Sequence, residues 1–169
     1  SDIRTRFERL ASRGQAWIVP GYSASGIVRA CGSEAGLFAP GDRVAVAGVG
    51  YATHADLASV PLNLVVRVPD ELHLAPASTA AVGAIALQAV RRADSRIGET
   101  VVVLGLGLLG QIASRILVAA GCRVLGWDLR GERLRLAATH GITGLGAGGI
   151  HDVPAAVAAL TSGHGADQV

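Results

Sequence analysis

The stretch that most limits what this chain can fold into is Gly105-Leu106-Gly107-Leu108-Leu109-Gly110. Directly before it, Thr100 to Leu104 (TVVVL) is a short unbroken apolar run, the pattern of a strand buried on both faces. Directly after it, Gln111 to Ala120 has helical spacing and closes on Gly121, a common helix end. A second apolar run, Arg123 to Trp127 (RVLGW), leads into Asp128, 23 residues after Gly105. An interval of about 20 residues is what a strand, glycine loop, helix and second strand need to bring an acid beside the loop. Glycine-rich turns are common, so the string alone says little. Strand, helix and acid together make it specific.

Each residue then has a physical task. Gly105 permits the tight turn out of the strand, Gly107 leaves room for a pyrophosphate to approach, and Gly110 lets the helix pack close to the sheet. The helix N-terminus offers free N–H groups and a partial positive charge, so phosphates need no basic side chain there. Asp128 is placed to accept hydrogen bonds from the hydroxyls of an adenosine ribose. Its charge would repel a 2′-phosphate, which favours NAD over NADP, whereas Arg130 and Arg133 are near enough to reach such a phosphate and argue the other way. The expected cofactor-binding set is Gly105, Leu106, Gly107, Leu108, Leu109, Gly110, Asp128 and Leu129.

The rest of the chain changes character near residue 75. Before it, β-rich runs at Gly26 to Ala30, Arg43 to Ala47 and Leu64 to Val68 are separated by turn signals such as Pro40-Gly41-Asp42. That pattern predicts a small antiparallel barrel or twisted sheet. After it, the chain alternates: a helix over Leu74 to Arg92, the strand–helix–strand unit above, and a helix over Glu132 to His140. A weak strand at Ile142 to Leu145, a helix over Pro154 to Leu160 and the start of a fourth strand at Ala166 to Val169 follow. Alternation of this kind predicts an α/β fold with a parallel sheet. It stops after one of the two halves of a complete doubly wound dinucleotide fold. The loop Ala147-Gly148-Gly149 carries no phosphate signature.

Composition excludes several classes. The formal charge is only +2, the basic residues are scattered, and Phe, Trp and Tyr occur twice each, so base stacking on a nucleic acid is not expected. The longest apolar run, Val101 to Gly110, is about half of what a membrane span needs. Ser1 to Arg13 is charged and has no apolar segment of a secretory signal, so a cytoplasmic protein is expected. Cys31 and Cys122 stand far apart, without any Cys-x-x-Cys pair, and read as reduced apolar fillers.

From about Pro20 onward the chain resembles the medium-chain dehydrogenase/reductase superfamily, the alcohol dehydrogenase-like enzymes. The resemblance is carried by Gly21-Tyr22-Ser23-Ala24-Ser25-Gly26-Ile27-Val28, by Pro40-Gly41-Asp42-Arg43-Val44, and by Ile97-Gly98-Glu99-Thr100 leading into the glycine loop. It implies a partial GroES-like β-barrel over residues 1–84 and the first half of a Rossmann domain over residues 85–169. It also implies an internal fragment of a longer protein, one that forms a possible homodimer at full length. Gly83 to Asp94 looks like a bacterial subgroup sometimes fused to a second, sugar-type oxidoreductase domain.

The resemblance implies an NAD-dependent oxidoreductase acting on a small-molecule substrate: a carbonyl, an alcohol or an activated alkene. Zinc-dependent members read Gly-His-Glu at the first motif, where this chain has Tyr22 and Ser23, and a metal cysteine falls on Ala80. Tyrosine and alanine cannot replace imidazole and thiolate around zinc, and the four-cysteine structural lobe is missing, so no zinc is expected. Tyr22 then either donates a hydrogen bond to a substrate oxygen or fills the space of the metal. Arg133 matches a basic position lining the adenosine ribose. His54 sits at a polar strand edge, and His73, His140, His151 and His164 read as helix-end or loop residues. Two rival readings remain open: a non-catalytic nucleotide-binding module, and an S-adenosylmethionine-dependent methyltransferase.

Overall fold

The computed structural model describes residues 19–146 and 148–169. The readings that fall on Ser1 to Ala16 and on Ala147 lie outside the described residues. The chain divides between Ala81 and Val82 into two compact units.

The first unit is built on three antiparallel strands, β1 (Ser23–Ile27), β2 (Arg43–Ala47) and β3 (Val65–Arg67), in the order β1-β2-β3. Ser23 pairs with Ala47 and Ile27 with Arg43, while Val44 pairs with Arg67. Among the described residues this sheet is open and does not close into a barrel. The turn that leads into β2 is held by its own acid: Asp42 accepts the Ala39 amide at 2.8 Å and pairs with Arg67 at 2.8 Å. Those two partners, the amide first, hold the Asp42 carboxyl below its ordinary value. Gly41 takes φ +98° there, the left-handed region open to glycine.

Elements of this unit differ from the sequence expectation. β1 begins at Ser23 rather than Gly26, because the small residues of Ser23-Ala24-Ser25 are fixed by bonds outside the sheet. The Ser23 and Ser25 hydroxyls donate to the carbonyls of Ser78 and Leu74, each at 2.6 Å. The long helix expected from Leu74 is two helices, α1 (Leu74–Ala77) and α2 (Ala80–Ala93). The break falls at Ser78-Thr79, where the Ser78 carbonyl is taken by Ser23 and the Thr79 hydroxyl donates back to Pro76. The Ala81 amide donates to the Ser23 hydroxyl at 3.2 Å. A serine on β1 therefore caps the start of α2, the hydroxyls of the adjacent Ser78 and Thr79 being turned back to the Ala75 and Pro76 carbonyls. The small core beneath is Ala45, Val68 and Ala77, with Leu74 packed against it. Cys31 is exposed, unlike the filler expected of it.

The second unit is a parallel sheet in the order β4-β5-β6, made of β4 (Thr100–Leu104), β5 (Arg123–Trp127) and β6 (Thr143–Gly144). The helices between and after these strands are α3 (Leu108–Ala119), α4 (Gly131–Ala138) and α5 (Val153–Leu160). Strand side chains alternate between two cores. Val101 and Val124 join Leu106, Leu117, Ala137 and Ile142 on one side, and Val102 and Leu125 join Val153 and Val157 on the other. This explains the unbroken apolar runs: both faces of β4 and β5 are covered. Burying each such Val, Leu or Ile contributes about 1.5–3 kcal/mol. Val101 also bridges to Gln168 in parallel, within Ala166 to Val169 where a fourth strand was expected to begin, and the Asp167 carboxylate accepts the Thr100 amide at 2.7 Å. Among the described residues no helix is long and apolar enough to cross a membrane.

Candidate functional site

The glycine loop leaves β4 and enters α3 without any spare residue: α3 begins at Leu108, inside the motif, rather than at Gln111 as the spacing predicted. Gly105 turns at φ +93° and donates its N–H to the carbonyl of Trp127 at 2.8 Å, fastening the loop to the end of β5. The side chain of Leu106 points inward and is almost fully buried. It fills the space above Gly126, where a Cβ would lie 2.9 Å from a Leu106 methyl. Whatever Leu106 offers to a ligand is therefore backbone. Leu108 and Leu109 are exposed.

The other two glycines of the motif differ in kind. A Cβ on Gly110 would stand 1.9 Å from the carbonyl oxygen of Gly105, so the helix could not pack where it does. A Cβ on Gly107 would meet only the Arg133 Nη1 atom, at 3.9 Å. Gly107 also has ordinary dihedrals, φ −69° and ψ −167°, that an L-residue adopts without strain. Folding requires Gly110; nothing in the fold requires Gly107.

Asp128 follows β5 and is buried beside this loop. Its Oδ2 accepts the Leu106 amide at 2.8 Å and Arg133 Nη1 at 3.1 Å, while Oδ1 accepts the Arg130 amide at 2.8 Å. Burial pushes its carboxyl upward, but the Arg130 amide, the Arg133 guanidinium and the Leu106 amide outweigh it and hold the group below its ordinary value. Sequence reasoning missed Gln111, which is buried in the first turn of α3. Its amide nitrogen donates to the Arg133 carbonyl at 2.9 Å and to the Leu106 carbonyl at 3.3 Å, tying the loop to α4. A glutamine among apolar helix positions directly after Gly110 was the available signal.

The structure thus brings Gly105 to Gly110, Asp128 and Arg133 together, with Leu129 exposed at the next position. Tyr22 belongs to the first unit, just before β1. Its ring is exposed and its carbonyl accepts the Gly48 amide at 2.9 Å. The His54 ring lies against Gly21, where a Cβ would come within 2.5 Å of it. His140 contacts Arg115, and the His164 ring nitrogen lies 3.1 Å from the Thr161 carbonyl oxygen. A concavity of about 800 Å³ is lined by first-unit residues such as Ser25, Phe38, Val44 and Leu62. It includes neither Tyr22 nor the glycine loop.

No family model matches the chain. Its sequence is 31% identical over 155 residues to D-guloside 3-dehydrogenase of Escherichia coli (strain K12), covering 88% of this chain and 43% of that protein. An alcohol dehydrogenase superfamily protein from Novosphingobium aromaticivorans shares the fold at a TM-score of 0.81 and 29% identity, over 99% of this chain and 53% of that one. The chain is thus similar, in sequence and in fold, to members of the medium-chain dehydrogenase/reductase superfamily. Mycobacterial Rv1454c, solved in complex with NADPH, matches at a TM-score of 0.66 and 25% identity, over 73% of this chain and 40% of that one. The chain spans about half the length of these superfamily relatives.

Proposed function

We propose that the second unit holds the adenosine half of a nicotinamide dinucleotide. The protein would then transfer hydride between that cofactor and a small-molecule carbonyl, alcohol or activated alkene. The observation that carries this reading is the open position at Gly107. A glycine that folding does not require, next to one that it does, fits a backbone that a pyrophosphate approaches closely. The first turn of α3 adds unpaired N–H groups and a positive dipole end. Gly107 and the backbone N–H groups of Leu108 and Leu109 face the phosphates, while the Gly105 and Leu106 N–H groups, committed to Trp127 and Asp128, fix the shape of the loop. Asp128, Leu129 and Arg133 line the adenosine ribose. The nicotinamide, when bound, supplies or accepts the hydride; the protein's part is to hold and aim it.

In this reading the first unit is part of a GroES-like barrel, and Tyr22 provides a hydrogen-bond donor for the substrate oxygen in place of a metal. The chemistry of the residues supports zinc independence: Tyr22 and Ala80 offer no imidazole or thiolate, and the Ser23 hydroxyl is already committed to Ser78 and Ala81. The relative named for dehydrogenation at position 3 of D-gulosides favours a sugar hydroxyl over a quinone or alkene as the substrate group. The test is a hydride-transfer assay on the protein at its natural full length, with glycosides, quinones and enones offered alongside reduced or oxidised cofactor. Turnover of a glycoside that survives zinc chelation is the expected result. Cofactor binding without turnover of any class would leave a non-catalytic nucleotide-binding module as the better account.

A further inference from the structure

We propose that Gln111 is a positioning residue for the dinucleotide: its buried amide turns the peptide between Leu106 and Gly107 so that the Gly107 N–H meets the pyrophosphate. The inference rests on the dinucleotide reading above and concerns the same loop. Gln111 lies in the first turn of α3 and is only 7% exposed. Its amide nitrogen has two protons and two acceptors, the Arg133 carbonyl at 2.9 Å and the Leu106 carbonyl at 3.3 Å. The bond to Arg133 anchors the amide to α4, and the bond to Leu106 acts on the loop. No other donor reaches the Leu106 carbonyl among the described residues.

A peptide unit is a rigid plane, and in its trans form the carbonyl and the N–H point in opposite directions. The described peptide bonds include no cis form. Drawing the Leu106 carbonyl to the buried Gln111 amide therefore sends the Gly107 N–H the other way. Gly107 is half-buried, and its N–H has no partner among the described residues. The two N–H groups before it are taken, Gly105 by Trp127 and Leu106 by Asp128. The loop thus changes direction at the Leu106–Gly107 peptide. The backbone of Gln111 fixes the next peptide too, its N–H donating to the Gly107 carbonyl at 2.8 Å. One residue holds the peptides on both sides of the glycine where the fold leaves room. Were the Leu106 carbonyl released, it would be free to turn outward and oppose phosphate oxygens with a like partial charge. Packing alone does not favour a glutamine here, because its Oε1 is buried without a partner among the described residues. What the position uses is the pair of donors.

The experiment is calorimetric titration of ADP-ribose into wild type, Gln111→Met and Gln111→Glu, with the urea midpoint of each recorded and the Gly107 amide followed by heteronuclear NMR. Methionine and ionised glutamate match glutamine in length and cannot donate. In wild type the Gly107 amide proton should move downfield on saturation, as an N–H entering a charge-assisted bond does. Each folded variant should bind about tenfold more weakly, and its Gly107 amide should lose that shift. A residue that serves only stability would lower the urea midpoint and leave the affinity of the folded protein and the Gly107 signal as they were. Wild-type affinity in a folded variant, or a Gly107 amide unmoved in saturated wild type, would overturn the inference and leave the dinucleotide reading intact. Failure of both variants to fold would also overturn it, by making Gln111 a residue of the fold. If folded wild type does not bind ADP-ribose, the dinucleotide reading falls and this inference with it.

Discussion

At the scale of single residues, Gly107 and Gly110 stand in one loop and are glycines for different reasons. Gly110 faces the carbonyl oxygen of Gly105 at 1.9 Å from a prospective Cβ. Gly110→Ala should therefore cost at least the roughly 1–3 kcal/mol typical of overpacking, read as a lower urea midpoint. An unchanged midpoint would mean that the loop has another path. Asp128 gives a prediction in pH. Its folded value lies below its unfolded one of about 3.9, so its contribution to stability is complete above that value and is lost as pH falls through the folded value. Asp128→Asn should flatten the acid side of a stability profile; a profile parallel to wild type would contradict the bonding described for its two oxygens. The glycines and Asp128 were legible in the sequence because turn chemistry and spacing are local. Gln111, Gly126 and Ser23 were not, because partners such as Arg133, Ile142 and Ser78 lie 22, 16 and 55 residues away in the chain and no local pattern announces them.

Element by element, the parallel sheet was the easier part to read. β4 and β5 lie between two cores, so their apolar runs are continuous and their bounds match the sequence expectation residue for residue. β1 and the break between α1 and α2 were misread together, and for one reason. Ser23 and Ser25 bond to carbonyls of Ser78 and Leu74, which fixes a strand made of small residues and interrupts an alanine-rich helix that propensity alone would continue. β3 is likewise shorter than expected, because Leu62–Leu64 close a 3-10 turn after Pro61 before the strand starts. Ser23→Ala removes a donor to Ser78 and the acceptor for Ala81, and should destabilise the first unit by about 1–2 kcal/mol in urea unfolding. A loss of α2 helicity by circular dichroism should accompany it. A variant as stable as wild type would show that the break in the helix arises elsewhere.

For the molecule as a whole, the α/β class and the likeness to the superfamily were legible because several short motifs occur in the right order. The substrate was not, since no residue near Tyr22 carries a chemical signature of one compound. The central claim is that the loop after β4 binds the pyrophosphate of a dinucleotide, and Gly107 isolates it. Gly107→Ala fits its backbone and meets no obstacle, so the folded protein should be as stable as wild type or up to about 0.4–1 kcal/mol more so. The added methyl nevertheless stands where the pyrophosphate must come. The decisive measurement is calorimetric titration of ADP-ribose into wild type and Gly107→Ala, with the urea midpoint of each recorded on the same preparations. The account predicts that wild type binds and that Gly107→Ala, equally stable, loses affinity by about tenfold or more. Equal affinity in the two proteins, or no binding to folded wild type, would contradict it.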